Sequence, residues 1–185
     1  MIRLDDVPDI LYLEGFGGNY SRYIDEIYNI FKRDLIEKRP KFGSYNLALK
    51  FNPLFQDRAY TFYHMTHKGE NENDRLPDLR RCERIAWAKW AIENVEKQSL
   101  KFWRQKRKTS NNRICIQLCV EDDVDYYVIL EVRKDYILIW TAFVAELPHE
   151  KKKKEIEYQN WLKEIKGKSY TPNSLVEEIR RDMLP

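Results

Sequence analysis

The sequence has few residues of the kinds that bind metals or form disulfides. It contains three cysteines and three histidines among 185 residues. No two cysteines form a CxxC pair, because Cys115 and Cys119 are four apart in a predicted strand and Cys82 lies in a predicted helix. A structural zinc site needs more ligands at closer spacing. We therefore expect no metal and no other cofactor, and we expect the cysteines to be small buried side chains in a reducing cytoplasm.

Long apolar runs are also absent. No stretch of eighteen apolar residues occurs, which excludes a transmembrane helix and a membrane partner. The first sixteen residues carry acidic side chains early, so we expect no signal peptide and a cytoplasmic location. Hydrophobic residues at 43% and aromatic residues at 14% are sufficient for a core, so disorder is not expected.

The positive charge is small in total but unevenly distributed. A net charge of +3 does not by itself indicate a nucleic-acid partner. However, residues 101–113 contain six basic side chains and no acidic one, and residues 151–154 are four consecutive lysines. Acidic residues concentrate elsewhere, as at 121–125. Because Phe102 and Trp103 are interleaved with these basic residues, the segment 101–113 is a candidate to bind the backbone of a nucleic acid and stack one of its bases. The alternative is a solvated hairpin loop whose two aromatic side chains belong to the core.

The pattern of apolar residues predicts an α+β fold. A spacing of three and four from Ile24 to Leu35 indicates an N-terminal helix, and the period changes to two from residue 112 onward. Short connections in the second half favour an antiparallel meander. The predicted elements are a helix at 20–38, a strand at 59–65, an arginine-rich helix at 77–97, a β-meander at 112–143 and a helix at about 150–166.

These elements predict one α+β domain over residues 1–170, with an antiparallel sheet of about four strands packed against helices. A final helix at 171–185 is expected to cap this domain. Ser174 followed by Glu177 has the spacing of a capping box at its start.

The arginine-rich helix has an unusual feature at its first turn. On a helical wheel, Arg81 lies in the middle of the apolar stripe, one turn before Ile85. Burying an unpaired arginine is costly, so Arg81 needs a partner. Either it bridges to a structural carboxylate or extends past the sheet edge to water, or it points over the end of the sheet and binds an anion such as phosphate.

Two of the three histidines, His64 and His67, lie where the predicted strand at 59–65 ends. A metal site would need a third ligand, and the only other histidine, His149, precedes the lysine run. An imidazole that titrates near neutrality and that a loop leaves accessible suits a general acid or base. The alternative is a polar histidine whose hydrogen bonds a neighbour satisfies. Thr141, in the predicted strand 136–143, becomes relevant only if it lies beside His64.

Three stretches together resemble the superfamily of small ribonucleases that includes barnase, EndoU, colicin D and RelE, known as the BECR fold: YHMTH at 63–67, RLPDLRRCERIAW at 75–87 and WTAF at 140–143. The likeness is greatest to the phage and mobile-element branches, and it covers roughly residues 50–165. It implies an RNase-toxin-like fold and metal-independent cleavage of RNA, in which the ribose 2′-hydroxyl attacks the adjacent phosphate.

By position, the resemblance makes His64 the general acid or base and Thr141 the threonine that helps hold the scissile phosphate, with Arg75, Arg80 and Arg81 as phosphate ligands. The three predicted catalytic residues are His64, Arg81 and Thr141. Phe143 stands where the family often has tyrosine, so a hydroxyl role there is lost. The resemblance implies RNA as a partner, and the likeness to toxins is compatible with an antitoxin or immunity protein as a second partner. The predicted substrate-binding residues are Arg75, Arg80, Arg84, Lys101, Trp103, Arg104 and Arg113.

Two other functions remain open at this point. YHMTH also looks like the strand by which ADP-ribosyltransferases hold the nicotinamide ribose, with Glu131 as the candidate late glutamate. The second open function is a nucleic-acid-binding or phage accessory protein that has a nuclease fold without activity.

Overall fold

A six-stranded mixed sheet organises the computed structural model, which describes residues 1–69, 71–106, 112–121 and 125–184. Its strands are β1 Lys41–Phe42, β2 Tyr45–Ala48, β5 Lys101–Gln105, β6 Arg113–Cys119, β7 Asp125–Val132 and β8 Ile137–Ala145, and β3 His67–Lys68 and β4 Leu76–Pro77 form a separate antiparallel pair. The strand order in the large sheet is β1-β2-β8-β7-β6-β5. Strands β2 and β8 are parallel, and the other neighbours are antiparallel.

The predicted α+β class is therefore confirmed, but the antiparallel sheet of about four strands is wrong in strand number and in one pairing. The meander predicted at 112–143 is observed as β6, β7 and β8. The sequence did not reveal β5, because the basic residues of 101–113 suggested a loop. It also did not reveal the short strands before residue 49, which attach to the sheet through a parallel pairing of Leu47 with Ile137.

Helices cover the sheet on both faces. Trp87 packs on Tyr126 of β7, while Trp103 of β5 contacts Tyr127 of β7 and Tyr158 from the opposite side. All of these rings except that of Tyr158 are almost fully buried, so the core extends through both faces. The helices are α1 Tyr20–Phe31, α2 Tyr60–Thr66, α3 Leu79–Glu83, α4 Trp87–Asn94, α5 Pro148–Ile165 and α6 Pro172–Asp182.

Several helix predictions change in detail. The N-terminal helix is observed as α1, continued by a π-helical turn at Lys32–Glu37. The arginine-rich helix is two helices, α3 and α4, separated at residues 84–86. The N-cap of α6 is Thr171, whose hydroxyl accepts from the Ser174 amide, so the predicted Ser174–Glu177 box is wrong by one turn.

No helix among the described residues is long and apolar enough to cross a membrane. The cysteines are free; Cys82 and Cys115 are buried and Cys119 is partly buried. The first two therefore match the expected small core side chains.

Candidate functional site

The segment predicted as a strand at 59–65 is a helix, α2, and every residue in it is buried. Aromatic and β-branched residues favour strands, and a fully buried helix shows no apolar period in its sequence. Helix α2 lies against β8 beyond Leu138, where the pairing of β8 with β2 ends. His64 is consequently only 4% exposed, which corrects the expectation of an imidazole left accessible by a loop.

The imidazole of His64 contacts a carboxylate that the sequence prediction did not include. Its Nε2 lies 2.5 Å from Oε1 of Glu72, and the hydroxyl of Tyr60 donates to the same oxygen. Tyr60 and His64 are four apart in α2, so they share one face of the helix, and their ring centroids are 4.4 Å apart. The Glu72 side chain is 51% exposed. Glu72 is thus the solvent-facing end of a Tyr60–His64–Glu72 cluster.

A short turn holds Glu72 in this position. Glu72–Asp74 form a single 3-10 turn between β3 and β4, and the Tyr63 hydroxyl donates to the Glu72 carbonyl at 2.8 Å. The connection passes close to Gly69, where an added Cβ would lie 3.2 Å from the Cα of Arg75. Glycine at 69 therefore allows the turn to fold over α2.

The cluster has a defined charge state near neutral pH. Burial lowers the pKa of His64, although the hydrogen bond to Glu72 opposes this shift. Hydrogen bonds from Tyr60 and His64 lower the pKa of Glu72, and burial raises the pKa of Tyr60 to about 12. At pH 7 the arrangement is a neutral imidazole and a neutral phenol on an ionised carboxylate, which can accept a proton.

Two cations lie next to this cluster. The Lys50 ammonium is 3.7 Å from the centroid of the Tyr60 ring. Arg75 is partly buried, and among the described residues its Nε has no hydrogen-bond acceptor. The positive charges of both residues lower the pKa of His64. The charge of Arg75 also lowers the pKa of Glu72, so it provides positive potential at this carboxylate, and Arg75 remains a predicted substrate-binding residue.

The three predicted catalytic residues do meet, but at a main-chain atom, the carbonyl oxygen of His64. Arg81 donates to the carbonyls of His64 at 3.3 Å and His67 at 3.2 Å and forms an ion pair with Asp78 at 3.3 Å. The Thr141 hydroxyl donates to the His64 carbonyl at 2.8 Å. Both side chains therefore satisfy carbonyls at the C-terminal end of α2, and this use competes with binding phosphate. The ion pair with Asp78 is the bridge to a carboxylate that the structural alternative for Arg81 anticipated.

An irregularity in β8 brings a second residue to His64. Ile139 pairs with Leu130 and Thr141 pairs with Ile129, so Trp140 is an extra residue in β8. Trp140 contacts the His64 ring with centroids 5.7 Å apart, while the next residue, Thr141, binds the His64 carbonyl. Alternation along a regular strand would have placed these two side chains on opposite faces. The bulge is the reason that both face α2.

Five of the predicted substrate-binding residues lie away from the cluster or are inaccessible. Arg84 is 1% exposed and bonds to Glu83, and Arg80 pairs with Glu146 at 2.8 Å. The other three residues, Lys101, Trp103 and Arg104, are all in β5, which is three strands from β8, or about 14 Å at ordinary strand spacing. Lys101 pairs with Glu155, Arg104 pairs with Asp182, and Trp103 is fully buried.

Burial of Trp103 excludes the predicted stacking of a base on its ring. Its neighbour Phe102 packs edge-on against Phe42. The aromatics of the basic segment therefore belong to the core, the alternative weighed above. Residues 107–111 of that segment lie outside the described part of the chain.

Arg113 is the exception among the basic-segment residues. Although it starts β6, its guanidinium lies 4.6 Å from the centroid of the Trp140 ring. Trp140 in turn contacts His64, so Arg113 belongs to the surroundings of the cluster.

Across the described ranges, no group of three or more histidine, cysteine or acidic side chains is arranged to hold a metal ion. Comparisons with protein-family models, with curated proteins and with solved structures found no match to this chain. The resemblance to small ribonucleases therefore stays a prediction.

Proposed function

We propose that the protein is a metal-independent endoribonuclease whose reacting group is the Glu72 carboxylate. The observation that carries this proposal is the 2.5 Å contact between His64 and Glu72, with the Tyr60 hydroxyl on the same oxygen and the carboxylate half exposed. Such a network fixes the orientation of a base and leaves its second oxygen for the substrate.

In the proposed reaction, the second oxygen of Glu72 takes the proton of a ribose 2′-hydroxyl. The resulting oxygen nucleophile attacks the adjacent phosphorus, and the bond from phosphorus to the 5′-oxygen breaks. The leaving 5′-oxygen takes a proton from solvent water, and Glu72 returns the proton it acquired to solvent. The products are a 2′,3′-cyclic phosphate and a 5′-hydroxyl end. Lys50 and Arg75 supply positive charge for the oxygens of the phosphorane, which gain negative charge in the transition state. In this scheme His64 and Tyr60 donate hydrogen bonds to one oxygen of Glu72 and so fix the orientation of the base.

The role differs from the one predicted for His64 alone. Because its side chain is only 5% exposed, the imidazole reaches solvent mainly through Glu72. Arg81 and Thr141 act on this site indirectly, since they fix the end of the helix that carries His64. The helical conformation of α2 removes the strand on which the ADP-ribosyltransferase alternative was based.

The test is cleavage of RNA by the purified protein in EDTA, with products analysed for cyclic phosphate and 5′-hydroxyl ends. Replacing Glu72 by Gln keeps the shape of the network and removes the base. We expect Glu72→Gln to lower kcat/KM at least about a hundredfold. The matched control is Glu146→Gln, which makes the same change at a carboxylate of similar exposure that pairs with Arg80; we expect its activity to stay within about threefold of wild type.

Two results would overturn the proposal, provided that circular dichroism shows folded proteins. One is wild-type protein that leaves RNA intact in EDTA. The other is Glu72→Gln protein that cleaves as fast as wild type. RNA binding without any cleavage would instead identify a non-catalytic nucleic-acid-binding protein.

A further inference from the structure

The bulge in β8 places an aromatic side chain at the edge of the Tyr60–His64–Glu72 cluster. Trp140 is the inserted residue, and it is only partly buried although it contacts His64. Bulges next to reactive groups often re-aim a side chain, and they occur at a cost in regular pairing. The bulge therefore places a partly exposed indole next to His64, which contacts the Glu72 carboxylate.

The buried carboxylate of Glu131 holds the guanidinium group of Arg113 against the Trp140 ring. Glu131 is 4% exposed and lies opposite Arg113 in the β6–β7 pairing. It accepts from Arg113 at 3.2 Å and also pairs with Arg133. The Arg113 guanidinium is thereby held over the Trp140 ring at 4.6 Å. Two arginines share one glutamate, so this group of four residues carries a net positive charge.

The chemistry of this group fits a nucleotide with an unpaired base. Bases stack on aromatic rings and on guanidinium planes, and stacking on a side chain requires a base that is not stacked in a duplex. Arg133 is 46% exposed, and its charge suits the phosphate of the same nucleotide. Because Trp140 contacts His64, this nucleotide would adjoin the phosphodiester that is cleaved with Glu72 as the base.

We infer that Trp140 and Arg113 form a base-binding subsite, and that the substrate is single-stranded RNA with an unpaired nucleotide next to the cleaved bond. This inference rests on the proposed function and names its substrate class. The competing explanation is that Trp140 only supports His64 by packing. The two explanations differ in one respect: a base-binding role makes the effect of changing Trp140 depend on the presence of the base.

The experiment measures equilibrium binding to Glu72→Gln protein, so that cleavage does not interfere. Fluorescence anisotropy gives the Kd for a labelled single-stranded RNA, for the same strand made abasic at each position in turn, and for its duplex. We expect one abasic position to weaken binding about 5- to 150-fold, as for the loss of one stacked base, and the duplex to bind more weakly than the single strand.

Trp140→Leu, added to Glu72→Gln, should weaken binding by a similar factor and abolish the effect of that abasic position. Trp140→Phe and Arg113→Lys serve as milder variants in case the leucine protein does not fold. Phenylalanine should keep most of the base dependence, whereas lysine, which lacks a planar group, should reduce it. Trp90→Leu, at a partly buried tryptophan of α4, is the matched control and should bind like the parent protein.

An equal loss of affinity for intact and abasic strands in Trp140→Leu would overturn the subsite, as would duplex binding as tight as single-strand binding. If wild-type protein does not cleave RNA but the effect of the abasic position still depends on Trp140, only the proposed nuclease activity is overturned. Absence of RNA binding would overturn both.

Discussion

His67 illustrates how burial changes the chemistry of a single residue. Its imidazole is 7% exposed and lies between Phe55 and Tyr63, with Nδ1 at 2.9 Å from the Thr66 hydroxyl. Because that hydroxyl donates to the Phe62 carbonyl, it accepts from Nδ1–H of a neutral His67. Burial, aided by the charges of Arg58 and Arg75, lowers its pKa from 6.5 to about 4.

This lowered pKa predicts a loss of stability on acidification. Between pH 6.5 and about 4 the unfolded chain binds a proton at His67 that the folded chain does not bind. The free energy of unfolding therefore rises with pH across this window, and the contribution of His67, at most roughly 3 kcal/mol, is lost as the pH falls through it. His67→Phe keeps an aromatic ring and removes the titration, so its midpoint temperature should vary less between pH 4 and 6.5.

Thermal unfolding followed by circular dichroism at several pH values checks this. The control is His149→Phe at the exposed histidine of α5, which should leave the pH dependence unchanged. Identical curves for His67→Phe and wild type would contradict the prediction.

Residues show where sequence reasoning succeeds and where it stops. The helical wheel placed Arg81 on an apolar line, and its side chain is indeed only 17% exposed. Its partners could not be deduced, because main-chain carbonyls leave no trace in a sequence. Glu72 was missed for a related reason: it lies in a loop without periodicity, and only the fold of the loop over α2 brings it to His64.

At the level of elements, α2 depends on groups outside itself at its C-terminal end. The last carbonyls of a helix have no partner within it, and in α2 those near its end are met by Arg81 and Thr141. Since α2 is buried, water cannot replace these donors without rearrangement.

Replacing Arg81 by Met should consequently destabilise the protein by about 3 kcal/mol, since charge-assisted hydrogen bonds to buried carbonyls are lost and Asp78 keeps its ion pair with Lys68 but loses the one with Arg81. Urea denaturation measures this free energy of unfolding. Arg80→Met is the matched control, because the Arg80 side chain is exposed and its shorter ion pair is with the exposed Glu146; we expect less than about 1 kcal/mol there. Equal effects of the two substitutions would show that Arg81 does not support α2.

Other elements were predictable to different degrees. The meander was correct because alternation and short turns are local signals, and α5 begins at a proline that marks the first helical turn. The pairing of β2 with β8 and the bulge at Trp140 are decided by long-range contacts, so no local pattern indicates them. Regular period-two alternation would place Trp140 and Thr141 on opposite faces, and the bulge instead turns both toward α2.

For the whole molecule, the last helix is part of the core. Leu175, Val176 and Ile179 of α6 are completely buried, and Ser44 donates from its amide to Asn173 at 2.8 Å. The sequence prediction treated 171–185 as a cap outside the domain 1–170. The burial shows that this segment belongs to the same hydrophobic core.

Deleting residues 171–185 should therefore prevent folding. Burial of three aliphatic side chains contributes roughly 6 kcal/mol, which is comparable with the total stability of a domain of this size. Circular dichroism and solubility after expression check this expectation. Leu184→Ser, at a position that is 63% exposed, should remain folded. A soluble, cooperatively unfolding 1–170 fragment would contradict the prediction.

The hydrogen bond between Thr141 and the His64 carbonyl also has a consequence for biosynthesis. The two residues are 77 positions apart, and β8 also supplies Trp140 to the same neighbourhood. A ribosome making this chain must release β8 before α2 can be fixed in place, and contacts of such long sequence separation form late in folding. The order of the elements therefore delays assembly of the candidate site until most of the chain has been translated.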